Sequence, residues 1–237
     1  MKKVIAFDLD GTLTQHKSII NKDNLEVLKE LSKLYNVLIV GAGSCERISK
    51  QLYDVDLEIL GQYGLEYASL SNDKLSFIRR TNVDVDKDYY SSIVEKLRRS
   101  FSFENYSGES VEFHSSGVVT FPILGTDACL EDKLKFDPDR LKRRRIYADV
   151  VDAFPDNNVF IGGTSSFDLS PKDFNKYISL KKYIDDQGYS VKDVIYFGDD
   201  YGVGGNDESI YKSDIEFVKV DSYLDIPELV FSNVLCI

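Results

Sequence analysis

The sequence predicts an α/β protein, a Rossmann-like three-layer parallel-sheet core carrying an inserted α+β domain. Three observations predict it. Apolar runs at residues 4–7, 37–40 and 194–197 each end in small or acidic residues, as strands buried on both faces of a parallel sheet do. Helical periodicity follows the first two runs, giving a strand–helix–strand–helix rhythm. Between them and the third run, that rhythm gives way to helices and alternating strands, which marks a separate insertion. The predicted boundaries are residues 1–78 and 172–237 for the core and 79–171 for the insertion.

In chain order, Asn21, Lys22, Asp23 and Asn24 open a helix with Leu25, Leu28 and Leu31 on one face. A second strand ends in Gly41, Ala42, Gly43 and Ser44, ahead of a helix through Ile48 and Leu52. Residues 57–67 read as strand, turn and strand, with the turn at Gly61 to Gly64. Residues 79–110 predict one amphipathic helix around Tyr89, Ile93, Leu97 and Phe101. Strand alternation follows at 110–114 and 118–121, then a charged helix over 138–154 and a strand at 159–161. The Arg143, Arg144 and Arg145 run is expected on the solvated face of that helix. Residues 162–171 lead through Lys176 into another helix, and the third buried strand ends in Gly198, Asp199 and Asp200.

The candidate chemistry sits where strands end. Asp8 and Asp10 follow the first apolar run; an extended backbone would point both to one side, at the place where open α/β sheets bind ligands. Two carboxylates there call for a cation or a shared proton, and Mg2+ suits hard oxygen donors. A solvated acidic turn is the competing reading. Asp199 and Asp207 bring acids to the same rim from a second strand. Ser44 stands just before a helix, where a hydroxyl caps the helix or holds a phosphoryl oxygen.

Phe7, Asp8, Leu9, Asp10, Gly11, Thr12, Leu13 and Thr14 resemble the first motif of the haloacid dehalogenase (HAD) superfamily. The resemblance implies Asp8 as nucleophile and Mg2+ ligand. It implies Asp10 as acid/base whose carbonyl also meets the metal, and Thr12 as a phosphoryl-binding residue. By the same resemblance Ser44 is the second motif, Lys176 the third, and Asp199 with Asp207 the fourth, Asp199 as a direct metal ligand. The chain is most similar to eukaryotic-type phosphomannomutases, through Gly162, Gly163, Ser166, Phe167, Asp168 and Pro171 with Lys176 five residues on, and through Gly204, Gly205, Asn206 and Asp207. That match implies that Asp168 touches a sugar hydroxyl.

One departure shapes the functional expectation. Ser107, His114 and Thr126 stand where the resembling family has cap arginines that hold a second phosphate, and losing guanidinium contacts is a large change. His114 remains a substrate-binding candidate as a donor when protonated, and Arg79, Arg80 or the 143–145 run are candidate substitutes. The expected activity is therefore a Mg2+-dependent phosphohydrolase acting through an aspartyl-phosphate on a small phosphorylated metabolite, a sugar phosphate. The alternatives are a phosphomannomutase interconverting mannose 6-phosphate and mannose 1-phosphate, and a non-catalytic binding protein on the same scaffold.

Composition bounds the partners. Among 237 residues, 40 acidic against 29 basic side chains give a net charge of −11, which argues against nucleic acid and anionic membrane. Cys45, Cys129 and Cys236 lack metal-like spacing and read as reduced thiols in a soluble, cytoplasmic protein. A homodimer is left open.

Overall fold

The computed structural model describes residues 2–235. Its backbone divides into two units. One comprises the chain through Thr81, Phe174–Gly202 and the segment from Asp207 onward; the other comprises Asn82–Asp173 and Val203–Asn206. The short segment 203–206 groups with the second unit.

The first unit is built on a seven-stranded sheet. β1 (Val4–Phe7), β2 (Asn36–Val40), β3 (Leu57–Gly61), β4 (Glu66–Ser71), β5 (Lys74–Arg80), β10 (Val194–Gly198) and β11 (Glu216–Lys219) lie in the order β11-β10-β1-β2-β3-β4-β5. The first five in that order are parallel, while β4 and β5 add an antiparallel edge. β1 thus sits between β2 and β10, at the point where the strand order reverses.

Alternation distributes the apolar side chains to both faces. Ile5, Phe7, Ile39, Ile195 and Phe197 pack with Leu25 and Leu28 of α1 (Lys22–Ser32), Ile48 of α2 (Cys45–Gln51) and Val230 of α8 (Ile226–Val230). Val4, Ala6, Leu38, Val40, Val194 and Tyr196 pack with Leu180 and Ile184 of α6 (Lys176–Asp186) and Ile210 of α7 (Glu208–Tyr211). This is the three-layer α/β arrangement. Asn21 caps α1, its side chain accepting from the Asn24 N–H.

The second unit holds a four-stranded antiparallel sheet, β6 (Glu112–Phe113), β7 (Val119–Pro122), β8 (Asn157–Gly162) and β9 (Ser166–Pro171), in the order β6-β7-β9-β8. Val119, Phe121, Phe167, Leu169, Val159 and Ile161 face a core completed by Val94 and Leu97 of α3 (Lys87–Ser100) and Val150 of α5 (Leu141–Ala153). A further helix, α4 (Leu130–Phe136), buries none of its residues.

Several expectations are corrected. Residues 79–110 are not one helix: β5 takes the first two, and α3 begins only at Lys87, where Asp86 caps it. β5, β9 and α4 were not anticipated. Arg143 is not on a solvated face. It is 1% exposed, its Nε lies 2.8 Å from Asp137 Oδ2, and its Nη1 donates to the Gly162, Gly163 and Ser166 carbonyls. Arg145 is exposed. Among the described residues, Cys45 and Cys129 are free thiols and no helix is long and apolar enough to cross a membrane; Cys236 lies outside the described residues.

Candidate active site

The site forms at the carboxyl end of β1. The strand stops at Phe7, so alternation does not carry through to Asp10 as the sequence suggested. Asp8 continues the ladder, donating its N–H to the Phe197 carbonyl. The chain then folds back, the Leu9 carbonyl accepting from the N–H groups of Thr12, Leu13 and Thr14. Gly11 makes that turn at φ +104, and a Cβ there would lie 2.6 Å from Asp199 Oδ2. Only glycine meets both conditions.

Three carboxylates converge. Oxygens of Asp8, Asp199 and Asp207 all lie within 4.8 Å of one another. Lys176, fully buried at the start of α6, donates to Asp8 Oδ1 at 2.6 Å and to Asp207 Oδ1 at 2.8 Å. Asp207 also accepts from the Tyr196 hydroxyl at 2.6 Å and, through Oδ2, from the Asp200 N–H at 3.1 Å. Thr12 is buried, and its hydroxyl donates to Asp199 Oδ1 at 3.1 Å.

The electrostatics follow from burial. Burial pushes the Asp8 carboxyl well above the usual carboxylate range; Lys176 opposes this, and the charges of Asp207 and Asp199 reinforce it. Burial alone would weaken the Lys176 ammonium, but Asp207 and Asp8 outweigh it and hold its pKa above the ordinary value. One ammonium thus stands among three carboxylates. This hard, oxygen-only, negatively charged donor set fits a divalent cation such as Mg2+.

Asp10 is engaged elsewhere. Its carboxylate lies 2.8 Å from Arg47 Nη1 and accepts from the Lys17 N–H at 2.7 Å and from Gln51 Nε2 at 3.0 Å. Burial resists its ionisation, yet the Arg47 charge and these hydrogen bonds win and lower its pKa. Ser44 is the N-cap of α2, accepting from the Arg47 N–H at 3.2 Å, which leaves its hydroxyl proton able to donate. Asp168 and His114 lie in the second unit, linked there through Thr120: His114 Nε2 is 3.1 Å from Thr120 Oγ1, which donates to Asp168 Oδ1 at 3.0 Å.

Sequence reasoning missed Arg47, Gln51 and Tyr196. The first two face Asp10 from one helix four residues apart, a spacing that i,i+4 neighbours share. Tyr196 shares its strand face with Val194, and only its hydroxyl inside an apolar run hinted at a partner. Three of the candidate substitute arginines are engaged with other groups, whereas Arg145 is exposed. Arg80 is paired with Glu46 and lies over the Phe77 ring, Arg79 lies 3.9 Å from Asp186, and Arg143 is buried as described. Arg98, also buried, donates to the carbonyls of Phe103, Ser110, Pro122 and Ile123.

Comparison with known proteins agrees with this architecture. A Dendrobium officinale phosphomannomutase is 27% identical over 228 residues, covering 89% of this chain and 85% of its own. The Saccharomyces cerevisiae phosphomannomutase is 28% identical over 226 residues, covering 88% and 84%. Among solved structures, a HAD-superfamily phosphatase from Bacteroides thetaiotaomicron superposes with a TM-score of 0.60 at 16% identity, covering 97% of this chain and 93% of that one. An IMP-bound, N-terminally truncated Plasmodium falciparum IMP-nucleotidase gives 0.68 at 15% identity, covering 98% and 68%. These structural likenesses establish the fold. The sequence model of the family described as eukaryotic phosphomannomutase matches residues 24–223, and this chain therefore belongs to the eukaryotic phosphomannomutase family of HAD-fold enzymes.

Proposed function

We propose that the protein transfers a phosphoryl group between positions of a hexose phosphate, a phosphomannomutase-type isomerisation that passes through an aspartyl-phosphate on Asp8. The observation that carries it is the buried Asp8 at the end of β1, with Lys176 at 2.6 Å. The family match and the names of the relatives favour isomerisation over the hydrolysis expected from the missing cap arginines at Ser107, His114 and Thr126.

Lys176 fixes Asp8 Oδ1, so the second oxygen is the one to attack phosphorus. A hydroxyl of the hexose phosphate attacks the aspartyl-phosphate that a hexose bisphosphate leaves on Asp8, Asp10 takes its proton, and the phosphorus–Asp8 bond breaks to give a bound hexose bisphosphate. Asp8 then attacks the other phosphoryl group of that bisphosphate, the phosphorus–oxygen bond to the sugar breaks, and Asp10 returns the proton to the leaving oxygen. Asp10 is the acid/base; Arg47 holds it ionised, ready to accept the proton of an attacking hydroxyl. Thr12 and Ser44 supply hydroxyls to phosphoryl oxygens. Asp207, held on both oxygens, orients Lys176. A Mg2+ ion held by Asp8, Asp199 and Asp207, together with the Asp10 carbonyl, would supply charge neutralisation at the phosphoryl oxygens when bound.

Hydrolysis is the second reading. Ser107, His114 and Thr126 replace the expected cap arginines, while Arg98 and Arg143 spend their guanidinium groups on backbone carbonyls, so a bisphosphate intermediate is less firmly held. Mannose 6-phosphate, supplied with Mg2+ and a hexose bisphosphate primer, decides between them. Mannose 1-phosphate as the main product supports isomerisation, and inorganic phosphate as the main product supports hydrolysis. Asp8→Asn, nearly isosteric, is expected to abolish either product by orders of magnitude. Retained turnover would remove Asp8 from the covalent role.

A further inference from the structure

We propose that Gln51 is the positioning residue of the proton-transfer step: its side-chain amide closes a ring with Arg47 and the Asp10 carboxylate and holds Asp10 in one place. The proton-transfer role of Asp10 rests on the functional reading above; the hydrogen-bond ring does not.

The ring is complete atom by atom. Arg47 Nη1 lies 2.8 Å from Asp10 Oδ2 and donates to Gln51 Oε1 at 2.6 Å. Gln51 Nε2 donates back to Asp10 Oδ1 at 3.0 Å, which closes it. An amide nitrogen carries two protons, and the second goes to the Ser18 carbonyl, also at 3.0 Å. Thr14 Oγ1, at 3.3 Å, is a more distant third neighbour. The amide can face only one way. Reversed, its oxygen would meet a carboxylate and a carbonyl, and its nitrogen would meet a guanidinium donor.

Gln51 also fastens the segment that carries Asp10. Its backbone carbonyl accepts from the Ile20 N–H at 2.9 Å, so one residue at the end of α2 grips the chain at positions 10, 18 and 20. Arg47 alone would hold less well. Its side chain is 34% exposed, and ion pairs in contact with water contribute little. Gln51 is the buried member, 6% exposed, and it orients the guanidinium and the carboxylate together. Glutamate has the same shape and lacks the two donors, so it would set a carboxylate against Asp10 and the Ser18 carbonyl.

The ring is tested first without turnover. Proton–nitrogen NMR, with the Gln51 side-chain amide assigned by its loss in Gln51→Glu, is expected to show amide protons slow to exchange with solvent and faster in Asp10→Ala. Fast exchange in the wild type overturns the proposal. The second arm separates the two halves of the reaction by rapid quench with p-nitrophenyl phosphate and Mg2+. Nitrophenolate leaves without a proton, so forming the aspartyl-phosphate needs no help from Asp10, whereas transfer onward to mannose 6-phosphate needs a base. Gln51→Glu is expected to keep the nitrophenolate burst near the wild-type rate. It should slow decay of the aspartyl-phosphate by about ten- to hundredfold, the equivalent of one hydrogen bond to a charged group. Gln51→Met, which removes the same donors without adding charge, should do likewise and serves if the glutamate variant does not fold. Equal slowing of both halves would make Gln51 a merely structural residue, and an unslowed second half would free Asp10 from it; either overturns the proposal. A wild-type protein that forms no aspartyl-phosphate would instead overturn the functional reading and this step with it, even with the amide protected.

Discussion

Single residues in this protein show how burial sets protonation. Cys45 begins α2, fully enclosed, its backbone N–H donating to Glu66 Oε2 at 2.7 Å. Burial, reinforced by the Glu66 charge, pushes its thiol from 9.0 up to about 12. The folded chain therefore keeps a proton that the unfolded chain begins to lose near pH 9. This contribution to stability is full below pH 9 and falls as pH rises toward 12, by up to about 1.4 kcal/mol per pH unit. Cys45→Ala is expected to flatten the alkaline slope of the unfolding free energy, measured in urea between pH 8 and 10.5. An unchanged slope would show that Cys45 takes no part in it. Lys176 and Asp8 follow the same physics with opposite charges. Neither is comfortable alone in a dry pocket, and each is tolerable because the other is there.

At the scale of elements, a buried guanidinium ties α5 to the β8–β9 hairpin. Arg143 satisfies Asp137 and three carbonyls, so Arg143→Met would leave a buried carboxylate without its ion partner. Such a loss costs about 3–5 kcal/mol, and denaturant unfolding of the second unit should show it, whereas Arg145→Met on the exposed side should change little. Equal effects would put the importance of the run in its net charge instead. The sequence hid this pairing, because three consecutive arginines look solvated until the fold brings Asp137 and the 162–166 turn beneath one of them. The core strands were legible, since β1, β2 and β10 are buried on both faces and read as continuous apolar runs. β5 was not: Lys74–Arg80 alternates between exposed and half-buried positions on an antiparallel edge, and its charges mask the pattern. α4 is only seven residues long, and Leu130 and Leu134, its apolar pair four residues apart, are exposed. In the candidate site, the acids announced themselves by following strands. Arg47 and Gln51 did not, because their partner Asp10 lies 37 and 41 residues earlier in the chain.

For the molecule as a whole, each unit has its own hydrophobic core, so unfolding need not be a single transition. The three clustered carboxylates belong to the first unit alone. Mg2+ at a hundredfold excess over its dissociation constant would stabilise that unit by about 2.7 kcal/mol. Differential scanning calorimetry should therefore show one component moving upward with Mg2+, and Asp199→Asn should abolish the shift. A parallel shift of both components in Asp199→Asn would locate the ion elsewhere. The net charge of −11 makes local cations such as Lys176 matter more for an anionic substrate, since the field of the whole chain repels it.

The turn at Gly43 carries a consequence for how this sequence can change. The Arg47 guanidinium occupies the space that a Cβ at position 43 would fill, and the same guanidinium holds Asp10. The two positions are thus genetically interlocked. A serine placed at 43 must first evict the arginine from Asp10. In a double-mutant cycle Gly43→Ser should be harmful beside Arg47 and milder once Arg47→Lys has shortened the neighbour, a departure from additivity of 0.5 kcal/mol or more in the manner of contacting pairs. Strict additivity would mean that the loop yields freely. Otherwise, the order in which the two substitutions arrive decides whether the route between the two loop sequences stays open.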